Sequence, residues 1–296
     1  MEHQHHQHPH HLHHSRGRIR TAFFLNLGFT LLEIFGGLWA NSVAILSDAV
    51  HDLGDSFSLG LAWYLDRVSR QEGDQRFSYG YRRFSLLGAL VNAIILTGGS
   101  AFVLSQAVPR LLNPEGAVAP RMILFAVIGI VVNGAAALNL RENRSLNARV
   151  ISWHLMEDVL GWAAVLVVAV VLLFIDLPIL DPILSILITV YILYNVIINL
   201  KETISVFLQS VPSEIDVAEI QKKINALQGV VSSHHTHVWS LDGEHHVLST
   251  HVNIGEQADR EQASRIKEQV KELLQSYQIG HLTIEIEYGE DDCAMC

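Results

Sequence analysis

Charge is in short supply in this 296-residue chain: Asp, Glu, Lys and Arg make up 17% of it, against 50% that is apolar. A soluble domain usually carries nearer a quarter charged residues, so an ordinary cytosolic globule is excluded. Cysteine is almost missing as well. The two present, Cys293 and Cys296, lie within four residues of the C-terminus, which excludes a disulfide-stapled secreted fold. The formal net charge of -10 argues against a nucleic-acid partner, which would want a basic face. Residues 212–296 hold fifteen Asp or Glu and six Lys or Arg, while the rest of the chain is nearly balanced at fifteen to fourteen. That distribution suits a cation as partner. No internal repeat is visible. The N-terminus shows no h-region and no small-residue cleavage pattern, so the first apolar stretch is expected to be retained.

What the chain has instead is apolar runs of membrane-crossing length. Phe84–Pro109, Met122–Leu140 and Pro182–Leu200 contain no charged residue and no His. Val159–Ile175 is likewise uncharged and extends back through Asp158, Glu157 and His154, giving a fourth span at about 149–175. Thr21–Trp39 is apolar apart from Glu33, and Val43–Leu65 apart from a polar cluster near its start. The expected fold is therefore a membrane α-helical one with six transmembrane helices in residues 18–208, preceded by a His-rich flexible arm at 1–17. With the N-terminus in the cytoplasm, twelve Arg or Lys lie on the inner side and only Arg110 and Arg121 on the outer, as the positive-inside bias requires. Both termini are then cytoplasmic.

Residues 209–296 read as a separate cytoplasmic α+β domain. Ile215, Ile220, Ile224 and Leu227 have helical spacing. Alternating runs at Val230–Leu241 and Val247–Ile254 flank Asp242-Gly243, a hairpin signal. A second helix at about 256–277 and a strand at Leu282–Tyr288 complete an αββαβ order.

The most informative feature is polar groups at membrane depth. In SDAVHDLGD (47–55), Asp48, His51, Asp52 and Asp55 fall within a stripe roughly 100° wide on a helix. WHLMED (153–158) repeats the H-x-x-x-D pattern with His154 and Asp158, and Glu157 beside them. An acidic residue near mid-membrane costs roughly 2.5–3.5 kcal/mol, and the spans hold no Lys or Arg to neutralise these. Two imidazoles and two carboxylates from adjacent helices make a tetrahedral set suited to Zn²⁺; bundle-core hydrogen bonds or ion pairs are the plain alternative. Asp48, Asp52 and Glu33 are candidates for orienting the ligating His. Asn26, Asn92 and Asn133 fit either a hydrated path or interhelical hydrogen bonding.

These residues resemble the cation diffusion facilitator family, in its zinc-exporting branch of bacterial efflux proteins and vesicular transporters. The resemblance is carried by NSVAILSDAVHDLGD (41–55), FSYGYRRFSLLGALVNA (77–93), WHLMED, and HHTHVWSLDGEHHVLSTHV (234–252). It implies a homodimer of six-helix protomers with metallochaperone-like cytoplasmic domains, exchanging Zn²⁺ for protons, and no enzyme. It makes His51, Asp55, His154 and Asp158 the transport ligands. Metal binding needs neutral His and ionised Asp, so protons compete for the same atoms near physiological pH, and alternating access would couple the two flows.

In the tail, His234, His251 and Glu287 correspond by motif to zinc ligands of the family's cytoplasmic domain, where zinc serves as a structural ion. His237, His245, His246 and His281 are further candidates. Cys293-Ala-Met-Cys296 fits soft-metal binding or a redox pair. The family's extra site in the loop between the second and third helices needs His, and residues 66–83 contain none, only Asp66, Glu72 and Asp74. Eight His at 3–14 read as a metal-collecting arm or an expression tag. Two rival functions are an intramembrane metalloprotease, against which the chain lacks H-E-x-x-H, and a metal-sensing membrane scaffold. Two N and two O donors favour Zn²⁺, with Cd²⁺, Co²⁺ or Ni²⁺ as alternative cargo. A bacterial inner membrane is the expected location, a vesicular membrane the alternative.

Overall fold

In a computed structural model, residues 12–69, 71, 73–141 and 146–289 are described. Six long helices come first: α1 (Leu12–Ala40), α2 (Val43–Ser69), α3 (Phe84–Leu112), α4 (Ala119–Arg141), α5 (Leu146–Phe174) and α6 (Leu180–Phe207). At 1.5 Å per residue they measure about 35 to 44 Å, enough to cross a hydrocarbon layer of about 30 Å. Five of them carry an apolar window of crossing length. The sixth, α2, is the helix loaded with Asp48, His51, Asp52 and Asp55. The boundaries follow the expected spans, except that α1 begins at Leu12, inside the stretch expected to be a flexible arm. The rest of that arm, and Cys293 with Cys296, lie outside the described residues.

The described residues form two compact units, one from residues 12–67 with 88–200 and the other from residues 68–87 with 201–289. The first unit is a helical bundle with three small cores. Ala40, Ala44 and Ile45 meet Met122, Phe125 and Ala126 of α4 and Trp162, Val165 and Ala169 of α5. Ala93 and Leu96 of α3 meet Ile192 and Val196 of α6. Val43 of α2 packs on Val103 and Ala107 of α3, joining α2 to the α3/α6 pair. Small residues set these distances. At Gly129 of α4 a Cβ would collide with the Trp162 ring, so the bare glycine lets α4 and α5 pack closely. Many large apolar side chains, among them Leu25, Phe35, Leu160 and Tyr194, face outward, as a lipid-embedded bundle requires.

The second unit holds α7 (Val217–Asn225), β1 (Ser232–Ser240), β2 (His246–Asn253), α8 (Arg260–Leu274), a 3-10 turn at Gln275–Tyr277, and β3 (Ile279–Glu287). This is the expected αββαβ order. Asp216 and Asp259 cap the two helices through their side chains. The sheet order is β1-β2-β3, with β1–β2 antiparallel and β2–β3 parallel; the parallel pair needs a crossover, which α8 supplies. Ile220, Ile224, Leu248, Ile266 and Val270 form the centre of its core. The segment 68–87 belongs to this unit. Arg82 Nη1 lies 3.7 Å from Asp242 Oδ2, and the Tyr79 ring meets the rings of His281 and Trp239 edge-on.

Candidate metal centres

Helical periodicity puts His51 and Asp55 one turn apart on α2, and α5 lays His154 across them. His154 Nε2 is 2.8 Å from Asp55 Oδ2, and His51 Nε2 is 3.7 Å from the same oxygen. The two imidazole centroids stand 5.6 Å apart. One ligand atom from each of the three residues lies within 4.8 Å of the others. Asp158, one turn beyond His154, is buried but stands outside that set of three. It lines an open cavity of about 450 Å³ with Asp48, His51 and Glu157, to which α6 contributes Leu187, Ile188 and Tyr191. Three expected ligands are thus brought together and the fourth faces the adjoining cavity.

Asp48, Asp52 and Glu33 are all buried, yet none hydrogen-bonds an imidazole nitrogen among the described residues. His51 Nδ1 is buried without a hydrogen-bond partner. The Glu157 carboxylate stands 3.9 Å from the other nitrogen of His154, Nδ1, beyond hydrogen-bond distance. The Glu33 carboxylate has no donor and faces Asp52 instead, a contact that becomes a hydrogen bond only when one of the two carries a proton. Among the described residues the carboxylates of this region have histidine, and no Lys or Arg, as ion partners. The donor set fits a divalent cation: imidazole and carboxylate, net negative, partly buried.

A second group forms in the tail. His234 and His251 are direct partners across β1–β2, and β3 brings Glu287 to the same edge. His251 Nδ1 is 2.7 Å from Glu287 Oε1, and His234 Nε2 is 3.2 Å from Oε2 without hydrogen-bond alignment. The other nitrogen of His251 lies 3.5 Å from Glu285 Oε2. These three ligand atoms also lie within 4.8 Å of one another.

Glu285 and His235 also neighbour this group; sequence reasoning passed over Glu285 and set His235 on the strand with His234 and His237. Simple alternation along β1 would send His235 to the face opposite His234. A bulge between His234 and His237, with His235 at φ 45°, turns its ring to 5.3 Å from that of His251.

The remaining tail histidines are elsewhere. His237 is exposed beside a separate cavity bounded by Thr236 and Trp239. His245 donates from Nδ1 to the Asp242 carboxylate, 2.8 Å away, in the hairpin loop. His246 is buried with Nε2 3.3 Å from Glu214. His281 packs against Tyr79. In the 68–87 segment, Asp74 accepts from the N–H groups of Arg76 and Phe77 and from the Tyr81 hydroxyl, so its carboxylate serves the turn. Those bonds, first the one from Phe77, hold its pKa below the usual carboxylate value.

A multi-helix membrane bundle with an imidazole–carboxylate cluster between two helices, followed by an α+β domain with a second such cluster, is the build of a membrane protein that handles metal cations. Comparison with known proteins agrees: residues 19–208 match the cation efflux transmembrane domain and residues 212–288 the cation efflux protein cytoplasmic domain. The chain belongs to the cation efflux family, whose members are multi-pass membrane transporters and not enzymes. It is 32% identical to the zinc transporter ZitB of Pectobacterium atrosepticum, over 94% of this chain and 88% of that one. It is 29% identical to the cadmium, cobalt and zinc/H(+)-K(+) antiporter of Bacillus subtilis, over 93% and 91%. The metal cation efflux system protein CzcD of Cupriavidus metallidurans is 30% identical over 91% and 85%.

Proposed function

We propose that this chain exports Zn²⁺ from the cytoplasm in exchange for protons, by alternating access around His51, Asp55, His154 and Asp158. One observation carries the reading: imidazole and carboxylate groups of α2 and α5 converge within bonding distance of one cation, at a depth where buried charge needs a partner. The short His154–Asp55 contact is the bond a proton would make there and a zinc ion would replace. Loading therefore displaces protons, and proton return on the far side releases metal. Asp158, facing the adjoining cavity, completes the four-ligand set when cargo arrives.

Zinc as the cargo is supported by the two nitrogen donors and by relatives named as zinc transporters. The names of other relatives favour a second reading, in which Cd²⁺ and Co²⁺ are carried as well. The tail set His234, His251 and Glu287, with Cys293 and Cys296 as further donors, would hold a structural zinc and join two protomers, whereas His237 stands apart beside its own cavity. Cytoplasmic termini follow from the basic inner loops, and the bacterial origin of these relatives favours an inner membrane. The test is counterflow in sealed proteoliposomes: zinc uptake with opposite proton movement, both lost in His51→Ala. Zinc binding without either flux would favour the sensor or scaffold reading.

A further inference from the structure

Asp181 opens α6, is 1% exposed, and is spent on the beginning of α2. Its carboxylate accepts the Ser42 hydroxyl at 2.5 Å, the Val43 N–H at 2.7 Å and the Ala44 N–H at 3.4 Å. Ser42 in turn accepts the Ile45 N–H at 3.2 Å through its side chain, and the Leu46 N–H at 3.3 Å through its carbonyl. The amides that open α2 are thus all engaged, two of them by another helix. Serine alone is a competent N-cap. What the distant carboxylate adds is a tether.

The tether continues as a polar seam. Ser185 Oγ donates to the Val43 carbonyl at 3.2 Å, and Ser47 and Thr189 hydroxyls meet at 2.9 Å. Ser42, Ser47, Ser185 and Thr189 are all buried. On the other side of the corner, Arg110 of α3 donates to the carbonyl and the side-chain oxygen of Asn41 at 3.0 and 2.8 Å. The start of α2 is therefore fixed in height and rotation. His51 and Asp55 follow rigidly, about 12 and 18 Å further along the same helix, and a slip of one residue at the clamp would turn both by about 100°.

We infer that Asp181 is a positioning residue for the metal ligands of α2: its clamp on Ser42 and Val43 sets where His51 and Asp55 meet His154. This rests on reading those three as transport ligands, and it adds a residue with no contact to the cargo. The experiment is zinc uptake by the full chain in proteoliposomes, normalised to monodisperse folded protein, for wild type, Asp181→Ala, Asp181→Asn, His51→Ala and the exchange variant Ser42→Asp/Asp181→Ser. Asp181→Ala should raise the half-saturating zinc concentration about tenfold, within the hundredfold that a 1 Å misplacement can cost. The exchange variant, with carboxylate and hydroxyl facing each other across the same gap, should recover most of it.

A role confined to folding would lower the yield and leave half-saturation unchanged in what remains. That result, or an exchange variant no better than Asp181→Ala, overturns the inference. If Asp181→Ala gives no folded protein, Asp181→Asn carries the comparison, and wild-type half-saturation there overturns the inference too. Wild-type uptake by His51→Ala would instead sink the site reading, whereas a dead His51→Ala beside an unaffected Asp181→Ala sinks only the positioning role.

Discussion

His154 Nε2 lies 2.8 Å from Asp55 Oδ2, and that contact is what ties α5 to α2 at the candidate transport site. The same Asp55 oxygen lies 3.7 Å from His51 Nε2, so one carboxylate serves both rings. Replacing it by the isosteric amide keeps the shape and removes the charge. Asp55→Asn should weaken zinc binding by at least the 10- to 100-fold typical of altering groups around a metal, or about 1.4 to 2.8 kcal/mol, and should stop transport while leaving a folded protein. Zinc uptake in vesicles with the variant checked by size exclusion decides it; uptake at the wild-type rate would remove Asp55 from the site.

Both H-x-x-x-D pairs could be read from the sequence because helical spacing puts i and i+4 on one face, and because a charge-poor chain makes buried acids conspicuous. The tail order was equally legible, since Asp242-Gly243 breaks two alternating runs and Gly243 takes φ 98°. What could not be read depends on tertiary packing. The bulge at His235 violates the two-residue period on which strand reading relies. The inclusion of residues 68–87 in the second unit depends on Arg82 meeting Asp242, 160 residues away. Asp181 sits in the first turn of α6, and nothing local in the sequence marks it as a partner of the first amides of α2.

Asp158 stands apart from the other three groups in the structure, so its part in the site is open to direct measurement. X-ray absorption at the zinc edge, on transporter whose tail site carries His251→Ala, should give four nitrogen or oxygen neighbours at about 2.0–2.1 Å. Asp158→Ala should reduce the protein-derived ligands to three and abolish transport. An unchanged spectrum and flux in Asp158→Ala would leave a three-residue site with solvent as the fourth ligand.

Ligand hardness sets the discrimination. Exchanging a ring nitrogen for a carboxylate oxygen in His51→Asp should shift preference toward Mn²⁺ and Fe²⁺, the harder ions. Competition of each ion against zinc uptake measures the ratio; a ratio equal to wild type would mean that His51 does not touch the cargo.

The tail group should be separable from transport. Glu287 contacts both His234 and His251, so Glu287→Gln weakens every pair in the cluster at once. The expected result is one fewer tightly held zinc per protomer in equilibrium dialysis, with affinity at that site down about 10- to 100-fold, while zinc flux through the helices persists. Unchanged zinc content would show that these three residues hold no ion in the resting protein.

Asp242 gives the hairpin a pH dependence whose sign can be worked out. Partial burial pushes its carboxyl up, but the N–H groups of His245 and Glu244 and the His245 ring pull it further down, so its pKa lies below the usual 3.8. A carboxylate with a depressed folded pKa contributes stability above its unfolded value, and loses that contribution as pH falls through the folded one. Between pH 5 and 7 the contribution is therefore constant, and it fades only below about 4. Asp242→Asn should lower the stability of the β1–β2 hairpin by on the order of 1 kcal/mol at pH 7, with the difference from wild type shrinking as pH falls below about 4. Fluorescence of Trp239 during unfolding, in a chain whose other tryptophans are Phe, reports on this strand. A wild-type-to-variant gap that widens on acidification would mean that the loop hydrogen bonds do not favour the ionised form.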